Sequence, residues 1–200
     1  MICKLTPSAP RLILIAGHAG TGKSTLAKKA LPLIIEKTGE DFFFLDKDTV
    51  YGSFSAHVME LTTQNPNDRD SPYYLENLRD WEYQGLIDIA RENLLLGVNV
   101  ILVGPFSKEI QSGRMFDPQK LGVPLQTTIQ IGWIDLDETE AKQRMTKRAD
   151  PRDEWKLAHW DQYTKRRTEP PVHATLHRFN NYTFNELEFE KLIDDLIRKT

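Results

Sequence analysis

Short apolar runs alternate along the chain with longer segments of helical periodicity. Runs in which nearly every residue is apolar are typical of strands that are buried on both faces of a parallel sheet. The predicted strands are residues 12–16, 42–46, 99–106, 127–136 and 172–181. The alternation of these strands with helices predicts βαβ units. We therefore expect an α/β fold of three layers, in which helices flank a five-stranded parallel sheet.

Helices are predicted between the strands, at residues 23–37, from near residue 49, and at 72–96, 138–147, 154–166 and 185–198. Ser71 as N-cap, Pro72 at the first helical position and Gly97 as a stop define the third of these helices. Pro32 predicts a kink or an early end in the first. Residues 108–124 are expected to combine a short helix with a turn-rich loop.

Length and composition restrict the classes of protein. A chain of 200 residues suits one α/β domain, so we expect a single domain over residues 1–200. The net charge of −3 and the mixing of both signs disfavour a nucleic-acid partner. The single cysteine, Cys3, permits no intramolecular disulfide and is expected to be an inert thiol. Without a signal-peptide core or an apolar run of about 20 residues, we expect a cytoplasmic protein with no membrane partner. The oligomeric state stays open.

The stretch GHAGTGKST, residues 17–25, follows the first strand and precedes the first helix. It matches G-x-x-x-x-G-K-[ST], in which glycines let backbone N–H groups converge on phosphate and the helix N-terminus adds positive potential. We expect Lys23 to contact the β- and γ-phosphates in catalysis, Ser24 to bind Mg²⁺, and His18 only to shape the loop. The predicted ATP-binding residues of the loop are Gly17, Ala19, Gly20, Thr21, Gly22, Lys23, Ser24 and Thr25.

Two carboxylates, Asp46 and Asp48, end the second strand, which we expect beside the first strand at the carboxyl edge of the sheet. One of them can serve the metal, and the other can take a proton from an acceptor hydroxyl. Alternatively, either aspartate caps the helix that starts near Thr49.

At this point the chain resembles the P-loop small-molecule kinases, a group that includes zeta toxins, chloramphenicol phosphotransferase, shikimate and gluconate kinases, the kinase half of polynucleotide kinase, and ATP-binding proteins of the AAA_33 type. The resemblance rests on GHAGTGKST, FFFLDKDTVYG and RMTKRADPRD, in that order, over about residues 11–161. It implies a P-loop NTPase fold with a small helical lid within about residues 144–166. It also implies that Asp48 is the general base and that Asp46 helps to bind Mg²⁺.

One departure from the pattern concerns the third strand, which ends in Val103 and Gly104 where a Walker B strand has Asp or Glu. Either Asp46 replaces this acid, or metal binding is impaired and the protein binds nucleotide with little turnover.

Arg144, Arg148 and Arg152 recur every four residues, so a continuous helix would align them in one basic stripe. The Ala-Asp-Pro break places Arg152 on a turn, and Asp153 is expected to cap the helix that begins at Glu154. The resemblance implies that Arg144 stacks on adenine and that Arg148 or Arg152 acts catalytically on the transferred phosphate. The alternative is an ordinary solvated face.

The preferred function is an ATP- and Mg²⁺-dependent kinase that phosphorylates a hydroxyl of a small molecule. One alternative is a polynucleotide 5′-hydroxyl kinase, which would need a basic groove. The other is a nucleotide-binding switch, suggested by the missing acid on the third strand. Further aromatic and basic residues are expected on segments that cover the acceptor, namely Tyr51, His57, Arg79, Lys108 and Arg114.

Overall fold

The sheet of this protein has five parallel strands in the order β2-β3-β1-β4-β5. The computed structural model describes residues 9–198, so Cys3 lies outside the described residues. The strands are β1 (Arg11–Ala16), β2 (Phe42–Asp46), β3 (Asn99–Val103), β4 (Thr128–Asp135) and β5 (Leu176–Asn180). All five predicted strands exist, but β3 lies between β1 and β2, so the expectation that β2 lies beside β1 is wrong.

Helices cover both faces of this sheet. They are α1 (Lys23–Thr38), α2 (Lys47–Thr63), α3 (Pro72–Tyr74), α4 (Asp80–Leu95), α5 (Ser107–Gln111), α6 (Pro118–Leu121), α7 (Glu138–Arg148), α8 (Glu154–Ala158), α9 (Trp160–Thr164) and α10 (Glu186–Leu196). A π-helical turn, Leu75–Arg79, joins α3 to α4. None of the helices within residues 9–198 combines the length and apolar composition that crossing a bilayer requires.

Two apolar cores lie on opposite faces of the sheet. On one face, Ile13 and Ile15 of β1 pack with α1 and α10. On the other face, Leu12 and Leu14 pack with the apolar side of α4. Because successive side chains of a strand point to opposite faces, a strand between two helical layers must be apolar throughout, as β1 is. The three-layer α/β arrangement is confirmed.

Several predicted boundaries were wrong. Pro32 does not end α1, which continues to Thr38. The helix expected near Thr49 begins at Lys47, because Asp46 provides its N-cap. The third and fifth strands were predicted too long, at residues 99–106 and 172–181, whereas β3 ends at Val103 and β5 covers only Leu176–Asn180. Two boundary predictions are confirmed. Ser71 is an N-cap, because its side chain accepts a hydrogen bond from the Tyr74 N–H, and Pro72 is the first residue of α3.

The segment predicted as one helix over residues 154–166 is broken. A 3₁₀ turn, Pro151–Asp153, precedes α8, and α8 and α9 are separated at His159, which has φ −120° and ψ 45°. These angles lie outside the helical region, so the chain changes direction there. The break carries α9 toward the loop after β1.

Candidate active site

A cleft of about 830 Å³ opens at the carboxyl end of the sheet. Its walls come from the loop after β1, the ends of β2 and β3, residues 69–83 and residues 148–168. Ten basic and five acidic side chains line it, although the whole chain has a net charge of −3. The cleft therefore has a local excess of positive charge that favours anionic ligands.

The loop between β1 and α1 depends on glycine. Gly17 has φ 142°, and a Cβ there would lie 2.4 Å from the carbonyl oxygen of Ile134. Gly22 has φ 87°, and its Cβ would lie 2.8 Å from Nδ2 of Asn181. A side chain at either position would strain the backbone and collide with a neighbour. The required glycines thus hold the curve that precedes the N-terminus of α1.

Six of the predicted ATP-binding residues of the loop line the cleft, namely Ala19, Gly20, Gly22, Lys23, Ser24 and Thr25. Gly17 and Thr21 are absent from the lining. Thr21 is buried, and its hydroxyl donates to the carbonyl oxygen of His18 over 3.0 Å. These two residues therefore shape the loop from behind.

Lys23 stands at the centre of the loop, where its ammonium donates to the carbonyl oxygen of His18 over 2.6 Å. Burial lowers the pKa of Lys23 to about 8, although the nearby Asp48 and Asp46 oppose the shift. The lysine is therefore still mainly protonated at neutral pH. Lys23 lines the cleft together with Gly22, Ser24 and Thr25.

A strap, residues 163–168, lies over the start of the loop. The hydroxyl of Tyr163 accepts the N–H of Ala19 over 3.0 Å, and Nε2 of His18 donates to the carbonyl oxygen of Thr168 over the same distance. Burial raises the pKa of Tyr163 to about 12 and lowers that of His18 to about 4, so both side chains are neutral near pH 7. His18 thus contributes to loop shape, in line with its prediction.

The two carboxylates after β2 have different surroundings. Asp46 is buried, and its Oδ1 accepts the N–H of Asp48 over 2.9 Å, which caps α2. Asp48 is exposed, and its Oδ2 lies 3.3 Å from Nη1 of Arg152. Both line the cleft. Asp48 is therefore the carboxylate that a ligand in the cleft can reach, whereas Asp46 is held by its contact with the start of α2.

Magnesium commonly binds one or two protein oxygens and completes its shell with phosphate and water. The hydroxyl of Ser24 and the carboxylate of Asp46 both line the cleft, and Oδ2 of Asp46 has no hydrogen bond within residues 9–198. No cluster of three or more His, Cys, Asp or Glu side chains suited to a metal occurs in that part of the chain. The donors present fit Mg²⁺ held jointly with a nucleotide. Val103 and Gly104 add no carboxylate from β3.

Two of the predicted lid arginines reach the cleft, each paired with an acid. Nε of Arg148 donates to Oδ2 of Asp153 over 3.2 Å. Nη2 of Arg152 donates to Oδ2 of Asp150 over 2.7 Å. Arg152 lies on the 3₁₀ turn, as predicted. Asp153 makes no capping hydrogen bond to α8, so that prediction was wrong: its carboxylate is committed to Arg148 and Lys156.

Arg144 lies outside the cleft lining. Its guanidinium donates to Glu140 over 2.8 Å and to the carbonyl oxygens of Asn181 and Tyr182 over 2.8 and 2.9 Å. Arg144 and Arg148 share α7, but Ala149 at φ 51° ends that helix. The expected stripe therefore does not extend to Arg152.

Lys47, Tyr74 and Glu82 form a buried polar network beside Asp48. Nζ of Lys47 lies 2.6 Å from Oε2 of Glu82 and donates to the hydroxyl of Tyr74 over 3.0 Å. Tyr74 donates to the same carboxylate over 2.5 Å. The side chain of Glu82 is 3% exposed, and burial raises the pKa of Tyr74. This network fixes Lys47 next to Asp48.

Arg79 and Lys108 line the cleft, in agreement with their expected location, whereas Tyr51, His57 and Arg114 do not. Arg79 ends the π-helical turn and forms two hydrogen bonds with Glu109, of 2.5 and 3.0 Å. Its guanidinium lies 3.9 Å from the ring centroid of Tyr83. Lys108 pairs with Asp80.

Sequence reasoning missed Lys47, Arg69, Tyr74, Lys156 and Tyr163, all of which line the cleft. Lys47 stands between the two carboxylates of the quoted motif, so its position was a usable signal. The other four have no diagnostic spacing, because the fold brings them to the cleft from separate elements.

Comparison with known proteins gives a family match for most of the chain. Residues 12–170 match the family model AAA_33, an AAA domain. No curated protein matches the sequence.

Solved structures share the fold at low sequence identity. Kti12 of Chaetomium thermophilum, solved with ADP-AlF3, is 15% identical with a TM-score of 0.63, over 92% of this chain and 96% of that chain. The APS kinase of Mycobacterium tuberculosis, solved with AMPPNP and APS, is 16% identical with a TM-score of 0.58, over 96% and 100%. A gluconokinase from Sinorhizobium meliloti 1021 is 14% identical with a TM-score of 0.55, over 94% and 90%. The kinase-like P-loop fold is therefore confirmed.

Proposed function

Because this chain belongs to the AAA_33 family of AAA domains and has a kinase-like P-loop fold, we propose that it is an ATP-dependent kinase that phosphorylates a hydroxyl of a small molecule. The observation that carries the proposal is one cleft that joins the phosphate loop to an exposed carboxylate, Asp48. The residue roles below follow from that arrangement.

The phosphate loop and Lys23 bind the triphosphate of ATP. Backbone N–H groups converge on the phosphates, and the ammonium of Lys23 leaves the carbonyl of His18 for the β- and γ-phosphates. Ser24 and Asp46 would hold Mg²⁺, which would neutralise charge on the phosphates. Thr25 adds a hydroxyl at the start of α1.

Asp48 accepts the proton of the acceptor hydroxyl while the oxygen of that hydroxyl attacks the γ-phosphorus. The bond from that oxygen to phosphorus forms while the bond to the β-γ bridging oxygen breaks, and ADP leaves. Arg148 and Arg152 stabilise the charge on the transferred phosphoryl group, as cationic side chains do in phosphoryl transfer. For this, both arginines exchange part of their present contact with Asp153 and Asp150 for phosphate oxygens.

In this proposal residues 144–166 act as a lid on a single domain, and Arg144 serves the adenine side. Its contacts with Asn181 and Tyr182 place it beside the turn that touches Gly22 through Asn181. The protein works in the cytoplasm on a soluble acceptor.

The end of β3 supports a second candidate, a nucleotide-binding switch with little turnover. Val103 and Gly104 line the cleft where a metal-binding carboxylate would otherwise stand. The two candidates differ in whether γ-phosphate reaches an acceptor.

The test follows label from [γ-³²P]ATP into a fraction of cellular metabolites. We expect the wild-type protein to transfer label to one nuclease-resistant compound and Lys23→Met to transfer none. Label in oligonucleotides would favour a polynucleotide kinase, and binding without transfer would favour the switch.

A further inference from the structure

The charges of the cleft are almost all paired within the protein. Eight of the ten basic side chains that line it form an ion pair with a carboxylate, namely Lys47, Arg79, Lys108, Arg148, Arg152, Lys156, Arg166 and Arg167. Within residues 9–198, the two without such a partner are Lys23 and Arg69. An unpaired cation that is partly or fully buried is costly, so each implies an external counterion.

The counterion of Lys23 is accounted for by the phosphates of ATP in the proposed function. Arg69 lines the cleft from the loop between α2 and α3. It is 9% exposed, and among the described residues its guanidinium donates only to backbone carbonyl oxygens: Gly52 over 2.8 Å, Pro66 over 3.1 Å and Asp68 over 3.0 Å. Carbonyl dipoles orient the guanidinium but leave its unit charge uncancelled.

The loop that carries Arg69 is fixed before any ligand binds. Oδ1 of Asp68 accepts the N–H groups of Asp70 and Ser71 over 3.0 and 2.9 Å. The guanidinium carbon lies 6.0 Å from the ring centroid of Tyr74. Nε and one N–H of Nη2 have no acceptor within the described residues, so the guanidinium group can still donate two hydrogen bonds to an anion.

Arg69 is linked to the helix that begins beside Asp48. Arg69 is bound to the carbonyl of Gly52, which lies four residues after Asp48 on α2, or about 6 Å along the helix axis. A rise of this length suits a molecule of about sugar size that carries a hydroxyl toward Asp48 and an anionic group toward Arg69.

We propose that the acceptor is a small polyhydroxylated molecule with a carboxylate or phosphate group, and that Arg69 binds this group while Asp48 faces the reacting hydroxyl. The inference rests on the proposed function and names its substrate class. A neutral acceptor would leave the charge of Arg69 without compensation.

The test measures binding to full-length protein saturated with AMPPNP and Mg²⁺, so that the phosphate loop is already filled. Calorimetric titrations compare each neutral probe with its carboxylate and phosphate forms: glycerol with glycerate and glycerol 3-phosphate, ribose with ribonate and ribose 5-phosphate, glucose with gluconate and glucose 6-phosphate. We expect an anionic member of at least one series to bind about tenfold or more tightly than its neutral form. Which form binds best identifies the carboxylate or phosphate class.

Two variants assign that preference to Arg69. Arg69→Gln should abolish it and Arg69→Lys should retain part of it, with AMPPNP affinity unchanged in both. Arg91→Gln, on α4 and outside the cleft lining, is the matched control and should keep the full preference. Retention by Arg69→Lys shows that charge is the cause, even if Arg69→Gln proves unstable.

The inference is overturned if neutral and anionic probes bind alike, if no anionic probe binds to the nucleotide-loaded protein, or if the preference survives in Arg69→Gln. Tighter binding of a 5′-hydroxyl oligonucleotide than of every small probe would also overturn it. If the wild-type protein does not bind AMPPNP, the proposed function and the inference both fail. If it binds AMPPNP but shows no preference for anionic probes, the inference alone fails.

Discussion

At the scale of single residues, the site combines groups whose charge depends on burial. Lys23 is the clearest case, because burial lowers its pKa from 10.5 to about 8. A lowered pKa means that the free protein binds fewer protons than an exposed lysine would above pH 8. Anionic phosphate favours the protonated form, so nucleotide binding is coupled to proton uptake there.

We therefore expect ADP affinity to be constant from pH 7 to about 8 and then to fall, by about tenfold for each further pH unit, until the pKa of Lys23 in the complex is reached. Calorimetry in buffers of different ionisation enthalpy measures both the affinity and the proton uptake. Lys23→Arg provides the control, because guanidinium stays charged and should remove the decline. A flat profile for the wild-type protein from pH 7 to 9.5 would contradict this account of Lys23.

Asp48 and Asp46 can be separated by conservative substitution. Asp48→Asn should lower phosphate transfer about 10²-fold or more, as expected for loss of a general base, with ADP affinity within a few-fold. Asp46→Asn keeps a good N-cap for α2. It should instead weaken Mg²⁺ binding, so that phosphate transfer needs a higher Mg²⁺ concentration. Steady-state kinetics over a range of Mg²⁺ concentrations distinguish the two. The opposite pattern would show that the assigned roles are reversed.

At the scale of elements, residues 144–153 contain acidic partners for their own arginines. Arginines close together would repel one another, but the structure gives Arg148 and Arg152 carboxylate partners in Asp153 and Asp150. The predicted lid, residues 144–166, is also joined to the loop after α2, since Nζ of Lys156 lies 2.6 Å from Oδ2 of Asp70. Movement of a lid thus requires exchange of ion pairs rather than relief of repulsion.

Nucleotide should therefore slow amide hydrogen exchange over residues 144–153. Arg148→Ala or Arg152→Ala should lower kcat by about 10³-fold, whereas Arg144→Ala should mainly weaken ATP binding. Exchange measured by mass spectrometry with and without AMPPNP reports the first effect, and steady-state kinetics report the second. Unchanged exchange together with unchanged kcat in both variants would make the segment an ordinary solvated surface.

The contact between the strap and the phosphate loop gives a second prediction at this scale. Tyr163→Phe removes the hydroxyl that accepts the N–H of Ala19 and should lower the free energy of unfolding by about 1 kcal/mol. Exchange of the Ala19 amide in the absence of nucleotide should become faster. Tyr83→Phe, in the same cleft but without a hydrogen bond to the loop, is the control. Equal exchange rates in wild type and Tyr163→Phe would exclude a role for the strap in ordering the loop.

At the scale of the whole molecule, the sequence predicted what local patterns encode. Apolar runs predicted the strands because a doubly covered sheet leaves no polar face, and the loop motif predicted the curved loop before α1 because its glycines are sterically required. Arg69 and Tyr163 could not be predicted, since their roles depend on how distant elements meet. The placement of β3 between β1 and β2 was missed for the same reason: no local signal states the strand order.

The central claim is that the cleft transfers γ-phosphate to an acceptor instead of releasing it to water. Phosphorus-31 NMR of a reaction with ATP, Mg²⁺ and an acceptor-containing metabolite fraction observes both products at once. We expect the γ-phosphate signal of ATP to be replaced one-for-one by a phosphomonoester signal, with little inorganic phosphate, and no change with Lys23→Met. Conversion of the γ-phosphate to inorganic phosphate alone, or no loss of ATP in any fraction, would contradict the account.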